Sequence, residues 1–420
     1  ISFIVFPAVM IMLEVKRPYQ KLENELSLTS IASNIVENKP KYIYIGTIII
    51  ILFSLTGTFK LKVENSFINY FKQDTEIYKG MEVIDKHLGG TTPLDVIVNF
   101  KVEEEIIEDK EPNEFSFENE FEANSNDAQY WFTKDKMDLI IKVHNYLESL
   151  DSVGNVQSLA TLLKVGKTLN KDIELDNFKL ALLYNKLPTK YKDLILSPYL
   201  DVENNQARFS LRIIDSDENL RRNDFLNKIN SDLEKIINKD SASFQITNLM
   251  VLYNNMLQSL FESQILTIGF VVIALFIMFL ILFRSIKVAF IAIISNLIPI
   301  GIVFGLMGWI GIPLDIMTIT IAAISIGIGV DDTIHYIHRY KEEFKKDYNY
   351  INAMRRSHNS IGYAMYYTTL SVILGFSILV LSNLIPTIYF GVLTVIVMVA
   401  MLSSALLLLP RLLVTMKPYN

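Results

Sequence analysis

The sequence predicts an α-helical polytopic membrane protein that carries one large extracytoplasmic α/β domain. Three observations lead there. The 420 residues are 51% hydrophobic with a mean hydropathy of +0.31, too apolar for a soluble protein of that size. Six apolar runs have the length of about 20 residues that a bilayer crossing needs. A polar stretch, residues 60–261, separates the first of these runs from the other five. Cysteine is absent, so neither disulfide nor thiolate chemistry is available.

The chain opens inside an apolar run, ISFIVFPAVMIML (residues 1–13). It reads as the end of a preceding membrane helix whose upstream part is missing. Residues 14–40 follow as a cytoplasmic linker, where Leu22, Leu26, Ile31 and Ile35 have the spacing of an amphipathic helix lying on the membrane face. A simple tether is the alternative. The first complete span is 41–59.

Residues 60–261 alternate between strand and helix signals. PLDVIVNFKV (93–102) has strand character. In 133–150, Met137, Ile140, Ile141, His144 and Leu147 recur at helical spacing, and SVGNVQSL then offers a short strand. The order repeats: QARFSLRIID (206–215) alternates with Ala207, Phe209, Leu211 and Ile213 on one face, 218–238 is an amphipathic helix, and ASFQIT (242–247) closes the set. Two β-α-β units in one domain predict a ferredoxin-like, split βαβ fold. Between them 158–198 reads as helical with a stop at Pro188, and 103–130 as an acidic flexible loop.

The five remaining spans, 262–283, 288–310, 314–336, 361–382 and 385–410, form a bundle, with a basic helix at 336–360 and a tail at 411–420. Fifteen of the 39 Lys and Arg lie outside 60–261, in segments that fall on one side if the spans alternate. The positive-inside rule puts that side in the cytoplasm and the large domain outside. That domain holds 34 acids against 24 bases, which excludes nucleic acid as a partner.

Across the end of span 314–336 stands GIGVDDTIHYIHRY (327–340). Asp331 and Asp332 are each costly there, about 2.5–3.5 kcal/mol for an acid near a helix centre. The bland reading has two interfacial acids reaching back to water, but an Asp side chain is too short to do so from that depth. Neighbours on a helix point about 100° apart, so one acid faces the bundle while the other supports it, an arrangement suited to proton relay. His335 shares their face, while His338, beside Arg339, reads as solvated. An Asp-x-x-x-His-x-x-His run invites a metal, but no HExxH or Cys set accompanies it, and neither metal nor cofactor is expected. Gly327 and Gly329 offer a small face for helix packing. Asn296 with Pro299 marks a polar point in span 288–310. Thr368, Thr369 and Ser371 are candidate hydrogen-bond donors to the acids, with ordinary helix-packing hydroxyls as the alternative. VGKT (165–168) fails as a P-loop, because the position needing the first Gly is Thr161. With no GxSxG and no spaced nucleophile, base and acid, an enzyme is not expected.

GIGVDDTIHYIHRYKEEF, together with YWFTKDKM, NLRRNDFL, LVLYNNMLQSLFESQILT and SNLIPTIYFG, resembles the RND superfamily. The similarity is to its MMPL-like exporter branch, which has a sterol-sensing-type bundle, and to the second half of a member. The resemblance covers nearly the whole chain. It implies proton-driven export of a hydrophobic or amphiphilic substrate such as a lipid, hopanoid, fatty acid or drug. It also implies that the acid pair Asp331 and Asp332 carries proton coupling, that the chain sits in an inner membrane with its large domain as a periplasmic porter-like domain, and that an N-terminal half of the same protein is missing, with homo-oligomerisation as an option. A sterol-sensing-type receptor or scaffold and a secretion-machine subunit are the rival readings.

Overall fold

The computed structural model describes residues 5, 8, 9, 11, 12, 28–61, 66–101, 131–169, 188–217 and 220–419. The helix end expected at 1–13, apart from those five positions, lies outside the described residues. So do the linker before residue 28, the whole of the 103–130 loop, and residues 170–187 of the helical stretch 158–198.

Among the described residues six helices are long and apolar enough to cross a membrane. They are α2 (Pro40–Thr58), α8 (Leu249–Phe283), α9 (Ile286–Ile310), α10 (Ile316–Asp347), α12 (Ile361–Ser377) with a 3-10 turn to Leu381, and the run Ile385–Met416. The last divides into α13 (Ile385–Ser403), a π-turn (Ser404–Leu408) and α14 (Leu409–Met416). The chain is therefore a multi-pass membrane protein. Local chemistry sets the ends. Pro40 stands at the start of α2, where its missing N–H costs nothing. Ser285 caps α9, and Gly311, at φ 80°, ends it in the left-handed region. Asp315 and Thr318 form a reciprocal capping box on α10.

Helix α9 is the bundle's centre, packed on α2, α8, α10 and α13. Its contact with α2 is backbone to backbone: a methyl group added at Gly57, Gly305 or Gly308 would overlap the facing chain. Trp309 closes the seam. Its Nε1 donates to the Phe53 carbonyl at 3.1 Å, its ring stacks on Phe53 at 5.7 Å, and Lys60 Nζ sits 3.5 Å from its ring centre. Elsewhere α2 and α8 present Ile45, Ile48, Ile49, Phe270, Ile273 and Ile277 outward, as lipid requires.

Two prolines each free a carbonyl four residues earlier, and a neighbouring helix satisfies it. Pro299 leaves the Ser295 carbonyl, which accepts from Ser404 Oγ at 2.6 Å. Pro410 leaves the Leu406 carbonyl, which accepts from His358 Nε2 at 2.9 Å. His358 ends the short helix α11 (Tyr350–His358). Alongside it packs α1 (Leu28–Asn38), which docks on the bundle through Thr29, Ala32, Ser33 and Val36 while Ile31 stays exposed.

The α/β domain is built on an antiparallel sheet of order β2-β4-β1-β5, with β3 (Leu200–Asp201) paired to β4. Its strands are β1 (Thr92–Phe100), β2 (Val153–Gln157), β4 (Gln206–Ile213) and β5 (Ala242–Thr247). On β4, Ala207, Phe209, Leu211 and Ile213 are buried as their alternation predicts. They meet Met137, Ile140, Val143 and Leu147 of α4 (Lys134–Glu148) and Leu226, Ile229 and Leu233 of α7 (Arg222–Ile236) in one core. The expected Ile141 is 37% exposed and Val143 fills the face instead, because the helical stripe runs through 140, 143, 144 and 147. Helix α3 (Glu76–His87) precedes β1, and α5 (Leu159–Leu169) and α6 (Thr189–Ile195) lie between β2 and β3.

Two connections fasten this domain to the bundle. Strand β5 turns into α8 at Asn248, whose backbone is left-handed (φ 86°); its side chain caps the Leu249 N–H and donates to Asp95 Oδ2 at 2.8 Å. On the other side Phe71 bridges Leu384, and Lys72 N–H donates to the Asn383 carbonyl at 3.1 Å, in the turn before α13.

Candidate functional site

Helix α10 has two polar faces. The inward one carries Thr318, Ser325, Thr333, Tyr336, Tyr340 and Glu343, all buried. The outward one carries Gly327, Asp331, His335 and His338, exposed at the spacing of one helix face. Asp331 Oδ1 lies 3.4 Å from His335 Nε2, with side chains 73% and 59% exposed. Asp332, one residue on, is half-buried at the flank of this face. His338 pairs with Glu342 at 4.0 Å, also exposed. Acyl chains cannot solvate this face, since a carboxylate in hydrocarbon has no compensating partner.

The expected supports divide. Asn296 Nδ2 donates to Thr333 Oγ1 at 2.9 Å and to the Ala292 carbonyl at 2.8 Å, so it braces the buried side of α10, away from the acids. Gly329 lies in the same junction, where a Cβ would stand 2.6 Å from Asn296 Oδ1 and from Met401 Sδ. Gly327 faces open space, with nothing within 4 Å of a Cβ. Thr368 and Ser371 return their hydroxyls to the carbonyls of Met365 and Tyr367 on their own helix, the ordinary satisfaction of a hydroxyl inside a helix. Thr369 is buried on α12.

One site escaped the sequence reading. His358 is fully buried where α10, α11 and the π-turn meet. Nε2 donates to the Leu406 carbonyl, which leaves Nδ1 to accept from Tyr336 OH at 2.9 Å; the Met354 carbonyl lies 3.0 Å from the same Nδ1. Tyr336 comes one turn after Asp332. Burial pushes the His358 imidazole below its ordinary range, against the two carbonyls, which favour the charged form. The readable signal was Pro410, four residues after Leu406.

Two further polar groups lie in the α/β domain. Asp85 and Asp215 are buried, with Asp215 paired to Arg222 and held by Ser66 Oγ at 2.7 Å. Burial pushes the Asp85 carboxyl up, but donors from Ser216, Asp215 and Thr91 outweigh it and hold the group below its ordinary range. His144 Nδ1 meets Ser158 Oγ at 2.9 Å, with Glu148 3.8 Å from Nε2. Ser158 is 1% exposed, and its Oγ caps the Ala160 N–H. His144 and Ser158 form a buried brace, and Glu148 stands at the surface.

A model of the MMPL family matches residues 154–417, which include the second part of the α/β domain, five spans and the acid pair. The membrane protein MJ1562 of Methanocaldococcus jannaschii is 24% identical over 354 residues, 83% of this chain and 83% of that protein.

Proposed function

The chain belongs to the MMPL family, and from that premise we propose that it exports a hydrophobic or amphiphilic substrate, driven by protons that load on Asp331 and Asp332. The family membership supports a transporter-like role, and the substrate class is that of lipids, hopanoids, fatty acids or drugs. The observation that carries the proton reading is the outward face of α10, an acid pair with His335 on a helix otherwise built to span a membrane. An ionised pair there demands protein cover, and protonation removes the demand. Movement of one charge through a membrane potential yields about 2.3 kcal/mol per 100 mV, enough to bias such a helix between two positions.

The cover we propose is a second bundle of the same kind, supplied by an N-terminal half of the same protein. Coupling sites at the interface of two repeats are a recurring transporter design. The α/β domain then lies in the periplasm and moves substrate, and its strand order supports reading it as a split βαβ porter domain. Basic segments opposite it support an inner-membrane orientation.

The test is substrate accumulation in cells making the full-length protein, with and without an uncoupler. Export abolished by the uncoupler and by Asp331→Asn with Asp332→Asn supports the reading. Accumulation indifferent to both would instead favour a receptor or scaffold.

A further inference from the structure

We propose that His358 is a latch: neutral, it ties the acid-bearing helix α10 to the last span, and on taking up a proton it releases Tyr336. The inference deepens the proton-coupled reading of Asp331 and Asp332 and rests on it for what the latch serves.

The geometry supplies two settings for one imidazole. The Leu406 carbonyl, deprived of a helical partner by Pro410, fixes a proton on Nε2. In the neutral ring Nδ1 is an acceptor, and Tyr336 O–H is the donor within reach at 2.9 Å. The Met354 carbonyl, 3.0 Å from Nδ1, is then an idle neighbour. A proton added at Nδ1 reverses this. Nδ1–H donates to the Met354 carbonyl, and Tyr336 keeps no acceptor for its own hydrogen on the ring. Both settings satisfy the imidazole, so the cage accepts either charge state, while the bond that changes is the one to α10. A residue serving only to cap the freed carbonyl would need no acceptor at Nδ1.

No carboxylate touches the ring among the described residues; its partners are Tyr336, Met354 and Leu406. Three acids on α1 and α10 near α11 are committed to basic partners. Glu37 of α1 pairs with Arg355, Glu343 of α10 with Arg339, Lys346 and Arg356, and Asp347 with Arg356. Tyr340 donates to the Tyr350 carbonyl and stacks on Tyr419, Arg411 of α14 donates to the Val36 carbonyl, Tyr363 stands in the first turn of α12, and Asp331, Asp332 and Glu342 lie on other faces of α10. Protonation of His358 is thus the change that acts on Tyr336 directly.

The test uses the full-length protein in lipid nanodiscs. Cysteines replace Glu342 on α10 and Thr415 on α14, both exposed, and carry spin labels whose separation is read from pH 8 to pH 5. We expect one separation at pH 8 and a second, longer one that reaches half its final population below the ordinary histidine value of about 6.5. His358→Gln keeps a donor for the Leu406 carbonyl but cannot take the proton, and should hold one separation throughout. Tyr336→Phe should populate the longer separation already at pH 8, and it keeps the test informative if the glutamine variant fails to fold. A pH response that persists in His358→Gln, or a single separation at every pH in the otherwise native protein, overturns the latch. If the response disappears only with Asp331→Asn and Asp332→Asn, the acids titrate and the latch fails while the proposed function stands. Export indifferent to an uncoupler would sink that function and leave the latch untouched.

Discussion

Replacing Gly305 with valine should detach α2 from the bundle. At the seam the overlapping atoms are backbone: a Cβ on Gly305 runs into Ser54, and one on Gly308 into the Gly57 carbonyl. Neither can turn aside as a side chain would, so α2 must move as a body. That movement breaks the Trp309 hydrogen bond to Phe53, their ring stack, and the seat of Lys60 on the indole. Over-packing costs about 1–3 kcal/mol, and the lost aromatic pair adds about 0.5–1.5 kcal/mol. A total of about 3 kcal/mol lowers the docked fraction of α2 relative to the undocked by about a hundredfold. The cysteine-free chain offers a direct assay. A Cβ at Gly301 stands 3.6 Å from Ser54 Cβ, within the about 3.5–4.5 Å that a disulfide spans. Ser54→Cys with Gly301→Cys should therefore cross-link readily in membranes, and adding Gly305→Val should slow the reaction, by up to about that factor. Gly46→Val is the control, since a Cβ there meets nothing within 4 Å. If the Gly305→Val protein cross-links as fast as its parent, the backbone seam does not hold α2.

The acid pair gives a functional prediction: Asp332→Asn should abolish proton-driven export in a protein that still inserts, Asp331→Asn should be equal or milder, and wild-type export by the double variant would refute coupling through the pair. Arg222→Ala should destabilise the α/β domain by about 3–5 kcal/mol, because it strands the buried Asp215 carboxylate beside buried Asp85; thermal unfolding reads the loss, and an unchanged melting temperature contradicts it. The depressed Asp85 carboxyl binds its proton less readily folded than unfolded. Its contribution is present above the unfolded value of about 3.9 and drains away as pH falls below it, which acid titration of Asp85→Asn against the native protein checks. For orientation, Asn204→Cys in the α/β domain should react with an impermeant thiol reagent on intact spheroplasts and Asn349→Cys should not; the opposite pattern inverts the topology.

The spans were legible because an apolar run of that length has few other uses. Their ends were not. Helix α10 runs unbroken past 336 to Asp347, because KEEFKK is rich in good helix formers, so the expected basic helix 336–360 is the end of α10 followed by α11. Helix α8 starts at Leu249, before the expected 262, where the Asn248 side chain caps it. Glycines show the deeper limit. Gly327 and Gly329 drew notice because they sit close together on one helix, yet Gly329 alone meets a neighbour. Gly57, Gly305 and Gly308 matter because two helices nearly 250 residues apart touch there, and no single-helix pattern reports that. The acids themselves were plain in the sequence, since charge inside an apolar run announces itself. His358 was not, because its meaning comes from a carbonyl 48 residues away.

The unbroken helix α8 has a mechanical consequence. Its 35 residues make a rod about 52 Å long at about 1.5 Å per residue. A tilt of about 5° about its bundle end would swing the other end through about 4–5 Å. That far end is welded to β5 by Asn248, while Phe71 stays hinged on Leu384. A lever driven at one corner and pivoted at another turns its load instead of lifting it. Sub-ångström motions among the spans would thus be geared up into rotation of the α/β sheet.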